Sequence, residues 1–196
     1  MRSLLPFSRA SHAERAFFHG EMRNERGRRV AEKKKFVELA SILAHEPLIA
    51  GVYKLVLQSP RIAAACQPGQ FVMLRQPWWT DPFLRRPLSI AGAVAEEGTV
   101  TLIYRVVGHG TELLEAARVG DRLDMMGPLG RGFALANGRL LLVGGGMGLA
   151  PLLFAAQRCC PAPVDVLAGG RTIDELFWVK LFQNVCNHGH VTTDGG

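Results

Sequence analysis

The chain has 196 residues, 48% of them hydrophobic, and a formal net charge of +6. That is enough apolar material for one large core or two small ones, and no apolar run approaches the roughly 18 residues that would cross a membrane. Residues 1–35 hold ten Lys and Arg against four Asp and Glu, and the remainder holds thirteen of each sign, so no basic face for nucleic acid is expected on the folded body.

Residues 1–35 include RNERGRRVAEKKK, show no sustained apolar period, and read as a basic, disordered extension. Glu14, Glu21, Glu25 and Glu32 argue against a transit peptide, and Met22 is a candidate internal start. No secretory signal precedes Cys66, Cys159, Cys160 and Cys186, whose spacing matches no zinc or iron–sulfur pattern. A reduced, cytoplasmic protein is expected.

From Phe36 the texture changes to short strand-like runs, FVELASILA, GVYKLVLQ and QFVMLRQ, with turn signals at Glu46-Pro47, Ser59-Pro60 and Pro68-Gly69. RPLSIAGAV, TVTLIYRVV and DRLDMMGPL follow, and a helix over 111–117 interrupts them. Six short strands at this spacing predict a small antiparallel barrel over 36–136. After Gly138 strands and helices alternate: strand 140–143, helix 149–158, strand 164–167, helix 173–183 and strand 190–193. That is a parallel, wound α/β sheet over 137–196, incomplete at about half the usual five or six strands.

The sheet opens on RLLLVGGGMGLAPLL, an apolar strand running through glycines into a helix. Such a junction brings free backbone N–H groups and the positive end of a helix dipole to one point, which suits a pyrophosphate. Glycine lets the phosphate reach the backbone, and Pro151 falls in the first helical turn, where its missing N–H costs nothing. A tight strand–helix turn without a ligand is the competing account.

Three further stretches carry candidate chemistry. In RRPLSI, Arg86, Pro87, Leu88 and Ser89 are expected to set a cation and a hydroxyl on the same side of an extended strand, Arg86 for a phosphate and Ser89 for a ring nitrogen. In YRVVGHGT, Gly108, Gly110 and Thr111 precede a helix start, a second convergence of backbone N–H groups on an anion, with His109 an exposed turn residue. GPLGRGF is a glycine-rich connection between barrel and sheet, either a linker or the hinge at which two cofactors meet.

In this order RRPLSI, GHGT, GPLGRGF and LLVGGGMGLAPL resemble the ferredoxin-reductase-like flavoproteins, and among them most closely the electron transfer subunits of dihydroorotate dehydrogenase B. AGGRTIDELF and the final TTDGG extend the resemblance over residues 36–196. The resemblance implies an FAD-binding barrel followed by an NAD-binding α/β domain. It puts Arg86, Pro87, Leu88 and Ser89 on the flavin motif, and Tyr104 and Arg105 on a strand beside the FAD. Gly110 and Thr111 fall on the pyrophosphate contact, and Gly144, Gly145, Gly146 and Gly148 on the loop facing NAD(H). It also implies electron flow through a [2Fe-2S] cluster to or from an FMN-containing catalytic dihydroorotate dehydrogenase subunit, in a heterotetramer of pyrimidine biosynthesis.

One element of that pattern is missing. The cluster's four cysteines belong to a segment downstream of the TDDG-like stretch, and this sequence stops at Asp194, Gly195 and Gly196. The sequence therefore reads as C-terminally truncated. Two other readings stay open: the flavin reductase subunit of another complex, such as a hydrogenase or a sulfide-linked reductase, and a truncated, non-catalytic remnant.

Overall fold

The computed structural model describes residues 34–78, 80–135, 138–159 and 162–193. The chain divides into two units, Met1–Lys34 and Lys35–Gly196. Almost all of the basic extension, together with Cys160 and residues 194–196, lies outside the described residues.

Six antiparallel strands close a barrel in the order β1-β2-β5-β4-β3-β6. They are β1 Phe36–Ile49, β2 Val52–Gln58, β3 Phe71–Arg75, β4 Arg86–Val94, β5 Thr99–Arg105 and β6 Arg122–Leu129. Alternation decides which side chains fill it: Leu55, Leu57, Val72, Leu74, Ile90, Leu102, Leu123 and Met125 are fully buried inside. The turn expected at Glu46-Pro47 does not form. β1 runs through Pro47 beside a register shift and turns only at Ala50-Gly51, where Gly51 takes a φ of 69°. A bulge tolerates a missing ladder donor, so Pro47 does not end the strand.

Two short helices stopper the barrel. Helix α1, Pro60–Ala65, follows β2, and helix α2, His109–Glu115, follows β5. Gln58 pairs with Thr99 and Val52 with Arg105, so the two helices leave from opposite ends. α1 inserts Ile62 and Ala63, and α2 inserts Leu114 with the following Ala117. The sequence reading left α1 as a turn. Its cap comes from another strand: the Glu38 carboxylate accepts the Ile62 N–H at 3.3 Å and the Ser59 hydroxyl. α2 begins two residues before the expected 111.

The sheet holds β7 Leu140–Gly145, β8 Val164–Gly170 and β9 His188–Thr193 in parallel, in the order β7-β8-β9. β7 leads through a 3-10 turn, Gly146–Gly148, into helix α3, Leu149–Cys159. The helix expected over 173–183 is instead a 3-10 turn, Ile173–Phe177, followed by helix α4, Trp178–Phe182. Leu142, Val166 and Ala168 pack with Leu149, Ala150, Leu153, Trp178 and Phe182, and the same cluster takes in Val52, Ala91 and Ile103 from the barrel's outer surface. α3 is thus held between sheet and barrel.

Candidate functional site

The first candidate site lies at the mouth of the barrel under α2. Arg86 opens β4 opposite Leu74 of β3, and its Nη1 donates to the Leu84 carbonyl at 3.0 Å. The guanidinium lies directly against Gly110, so a Cβ on Gly110 would collide with Nε, Cζ and Nη2. Only glycine permits that approach. The turn beneath is closed by Thr111, whose hydroxyl accepts the Val107 N–H at 2.9 Å and the Gly108 N–H at 3.1 Å and donates to the Gly108 carbonyl at 2.7 Å. The Thr111 and Glu112 N–H groups also go to the Gly108 carbonyl. Thr111 therefore shapes this corner, and the half-buried Arg86 fork and the small backbone of Gly110 face each other above it.

One expectation for this region is corrected. Arg86 and Ser89 are three positions apart on a strand, and a period of two sends them to opposite faces. Arg86 and Leu88 pair with Leu74 and Val72, whose side chains are inside, whereas Pro87 and Ser89 pair with Met73 and Phe71 on the outer face. Tyr104 is only 2% exposed and its side chain belongs to the barrel interior. Its hydroxyl meets His45 Nε2 at 2.9 Å, and burial, followed by the neighbouring Glu115, raises its pKa well above the usual phenol. Arg105, one residue on, points the other way, toward the sheet.

The second candidate site is a cleft of ≈ 530 Å³ at the carboxyl ends of the parallel strands, lined by Gly145, Gly146, Met147, Gly169, Gly170 and Thr192, with Arg105, Arg171 and Glu175. Ligands of open α/β sheets bind at such strand ends. The glycines here differ in their reasons. A Cβ on Gly144 would lie 2.8 Å from Leu152 Cδ1, so Gly144 is a packing residue under α3. Gly145 still belongs to β7, and only Gly146, with φ of 51°, requires the left-handed region. A Cβ on Gly148 would meet open space. The expected loop is thus two strand residues followed by a tight turn.

Arg105 Nη2 donates to Glu175 Oε1 at 2.9 Å and ties the end of β5 to the turn after β8. Glu175 Oε2 accepts the Arg171 N–H at 2.9 Å. That backbone bond, with Arg105 nearby, holds the Glu175 carboxyl below the usual range. Two guanidiniums against one carboxylate leave the cleft net positive, complementary to phosphate. Sequence reasoning assigned no role to Gly169, Gly170, Arg171, Glu175 or Thr192. The signal was present, because the Gly-Gly ending β8 repeats the Gly-Gly ending β7.

GPLGRGF is not a free connection. Gly127, Pro128 and Leu129 complete β6, the Gly130 carbonyl accepts Gln70 Nε2 at 3.0 Å, and the Phe133 ring packs on Gly69. The segment is anchored to the barrel. The three cysteines among the described residues lie apart and do not form an iron–sulfur ligand set. Cys66 is buried in the barrel, which pushes its thiol up to about 11, Cys159 ends α3, and Cys186 precedes β9. Among the described residues, no three His, Cys, Asp or Glu side chains converge as metal ligands.

Comparison with known proteins agrees with this architecture. Residues 49–133 match the oxidoreductase FAD-binding domain. The "Dihydroorotate dehydrogenase B (NAD(+)), electron transfer subunit" of Desulforamulus reducens is 43% identical over 161 residues, covering 80% of this chain and 62% of that protein. The same subunit of Shouchella clausii is 40% identical over 149 residues, covering 73% and 58%. A solved structure, described as an NADH-dependent reduced ferredoxin-NADP oxidoreductase, is 32% identical with a TM-score of 0.71, covering 81% of this chain and 58% of that one. The chain therefore spans about three fifths of the length of these relatives. With a closed antiparallel barrel and a parallel sheet ending in glycines, the chain has the ferredoxin-reductase-like fold with an oxidoreductase FAD-binding domain, and along both parts it is similar to the dihydroorotate dehydrogenase B electron transfer subunits.

Proposed function

We propose that this chain is the flavin-bearing part of an electron transfer subunit, passing electrons between NAD(H) and a catalytic dihydroorotate dehydrogenase subunit in pyrimidine biosynthesis. The observation that carries the reading is the Arg86 guanidinium seated on Gly110 at the barrel mouth. A planar fork over bare backbone matches a diphosphate. Arg86 and Gly110 would hold the FAD diphosphate over the turn that Thr111 closes, with the flavin against the β4 segment of Pro87, Leu88 and Ser89, of which Pro87 and Ser89 face outward. The NAD(H) site would be the cleft with Gly145 and Gly146 in its lining, Gly148 in the turn that follows them, and Arg105 and Arg171 beside them. FAD would supply the redox chemistry; the chain binds, orients and excludes water. The FMN-containing partner, a heterotetrameric assembly and a cytoplasmic location belong to the same proposal. No step is assigned to an iron–sulfur cluster within this chain.

Replacing Arg86 tests the reading. Arg86→Ala removes a charge-assisted pair of about 1.5–3 kcal/mol, so FAD affinity falls about ten- to a hundredfold in a fluorescence titration. Arg86→Lys also weakens binding, because an ammonium cannot reproduce the fork. Unchanged affinity in both variants removes the assignment. The 32% identity to a ferredoxin-linked reductase favours a second reading, a reductase subunit of another complex. Retained FAD without a stable complex on co-expression with a dihydroorotate dehydrogenase catalytic subunit would favour that reading.

A further inference from the structure

The barrel end opposite α1 holds a polar cluster that the cofactor sites do not use. His45 of β1, Tyr53 of β2 and Tyr104 of β5 lie side by side, with ring centroids 5.2 Å apart for His45–Tyr53 and 5.8 Å for Tyr53–Tyr104. Of the external bonds of this cluster, one goes to the last residue of α2 and one to the chain two residues beyond it. His45 Nδ1 lies 2.9 Å from the Ala117 carbonyl, and the Tyr53 hydroxyl donates to Glu115 Oε1 at 2.5 Å. A carbonyl only accepts, so Nδ1 carries the proton, and Nε2 is then the acceptor for the Tyr104 hydroxyl at 2.9 Å. The tautomer is fixed by its neighbours.

α2 is short and has little else to hold it. Its buried contacts are Thr111 and Leu114, and Leu114 lines the same small cavity as Arg86 and Gly110. Glu115 follows Leu114 directly. A rotation or slide of α2 that broke the bonds to Glu115 and Ala117 would carry Leu114 and Gly110 with it, because seven helical residues move as one rod. The gap between Arg86 and Gly110 leaves no room for a Cβ, so even a small shift of α2 changes it.

We propose that His45 and Tyr53 are positioning residues for the FAD diphosphate: by clasping Ala117 and Glu115 they seat α2 so that Gly110 stays against the Arg86 guanidinium. The inference rests on the reading that Arg86 and Gly110 hold that diphosphate. Neither residue touches the cofactor. Each sits on another strand of the barrel and acts through Glu115 or Ala117, which follow Gly110 along the chain.

The test uses the full 196-residue chain, freed of flavin, with FAD and riboflavin as probes. Riboflavin has the ring system without the diphosphate. Tyr53→Phe and His45→Leu each remove one bond of the clasp, and FAD affinity should fall about three- to tenfold in each, with riboflavin affinity unchanged. The phosphorus resonances of bound FAD should move toward those of free FAD. His45→Asn, whose amide nitrogen replaces Nδ1, and Glu115→Gln, which keeps the acceptor for Tyr53, should restore FAD affinity to within about twofold of the parent. Equal losses for FAD and riboflavin, or no rescue by the two conservative variants, would mean a merely structural role and overturn the inference. Arg86→Ala in parallel separates the failures. If it weakens FAD while Tyr53→Phe does not, the clasp is wrong and the diphosphate site stands; if Arg86→Ala has no effect, the site itself is wrong.

Discussion

Barrel and sheet lie against each other, yet they are finished to different degrees. Every barrel strand has two neighbours, both ends are stoppered, and its interior residues reach zero exposure. In the sheet, β7 and β9 are edges among the described residues, and only one face is covered. On the other face Leu141 is 66% exposed, Val143 61% and Leu167 37%. Closure satisfies backbone and apolar groups from within, whereas an open sheet depends on what lies against it. The site reflects this contrast: the Arg86 corner is built entirely from barrel residues, while the glycine cleft needs Arg105 from the barrel to complete its wall.

The contrast breaks most easily inside the barrel. Leu102→Ala leaves a cavity at a fully buried position and should cost about 2–5 kcal/mol by urea unfolding; a loss under 1 kcal/mol would mean that the barrel is not the stable half. Gly144→Ala presses a methyl onto Leu152 and Leu149 and should cost about 1–3 kcal/mol. Hydrogen exchange should then quicken across β7, β8 and β9 while β2 and β5 keep their protection. Equal quickening in both would show a single cooperative unit.

A pH series isolates the tie between the halves. The Glu175 carboxyl is held low by the Arg171 N–H and Arg105, so its contribution is complete above the ordinary carboxylate pKa of about 4.3 and disappears as pH falls through the lowered value. The difference in Tm between the parent and Glu175→Gln should be constant from pH 7 to 5 and shrink only below about pH 4. A difference that vanishes at pH 6 would mean that the tie does not form. The smallest effect belongs to the bare face: Leu141→Ser should change stability by no more than about 0.5 kcal/mol.

The barrel was legible because its strands alternate cleanly between turn signals, and the sheet because apolar strands and helices alternate at the right lengths. The errors share one cause. α1 is capped by Glu38, far away in sequence, and the turn at Glu46-Pro47 is overridden by pairing with β2. Tertiary partners decided each case, and no local window contains them. In the two candidate sites, Arg86 and the glycines stand out by residue type, whereas Glu175 does not, because its partner Arg105 lies 70 positions away. The opposite facing of Arg86 and Ser89 was available from spacing alone.

Helix α3 follows the sheet in sequence, yet it lies along β4 so closely that a Cβ on Gly92 would stand 2.9 Å from Gln157 Oε1. A protease that cut the connection between β6 and β7 would therefore nick the chain without freeing either half, and two separately made fragments, 34–135 and 138–193, should find each other again through this seam.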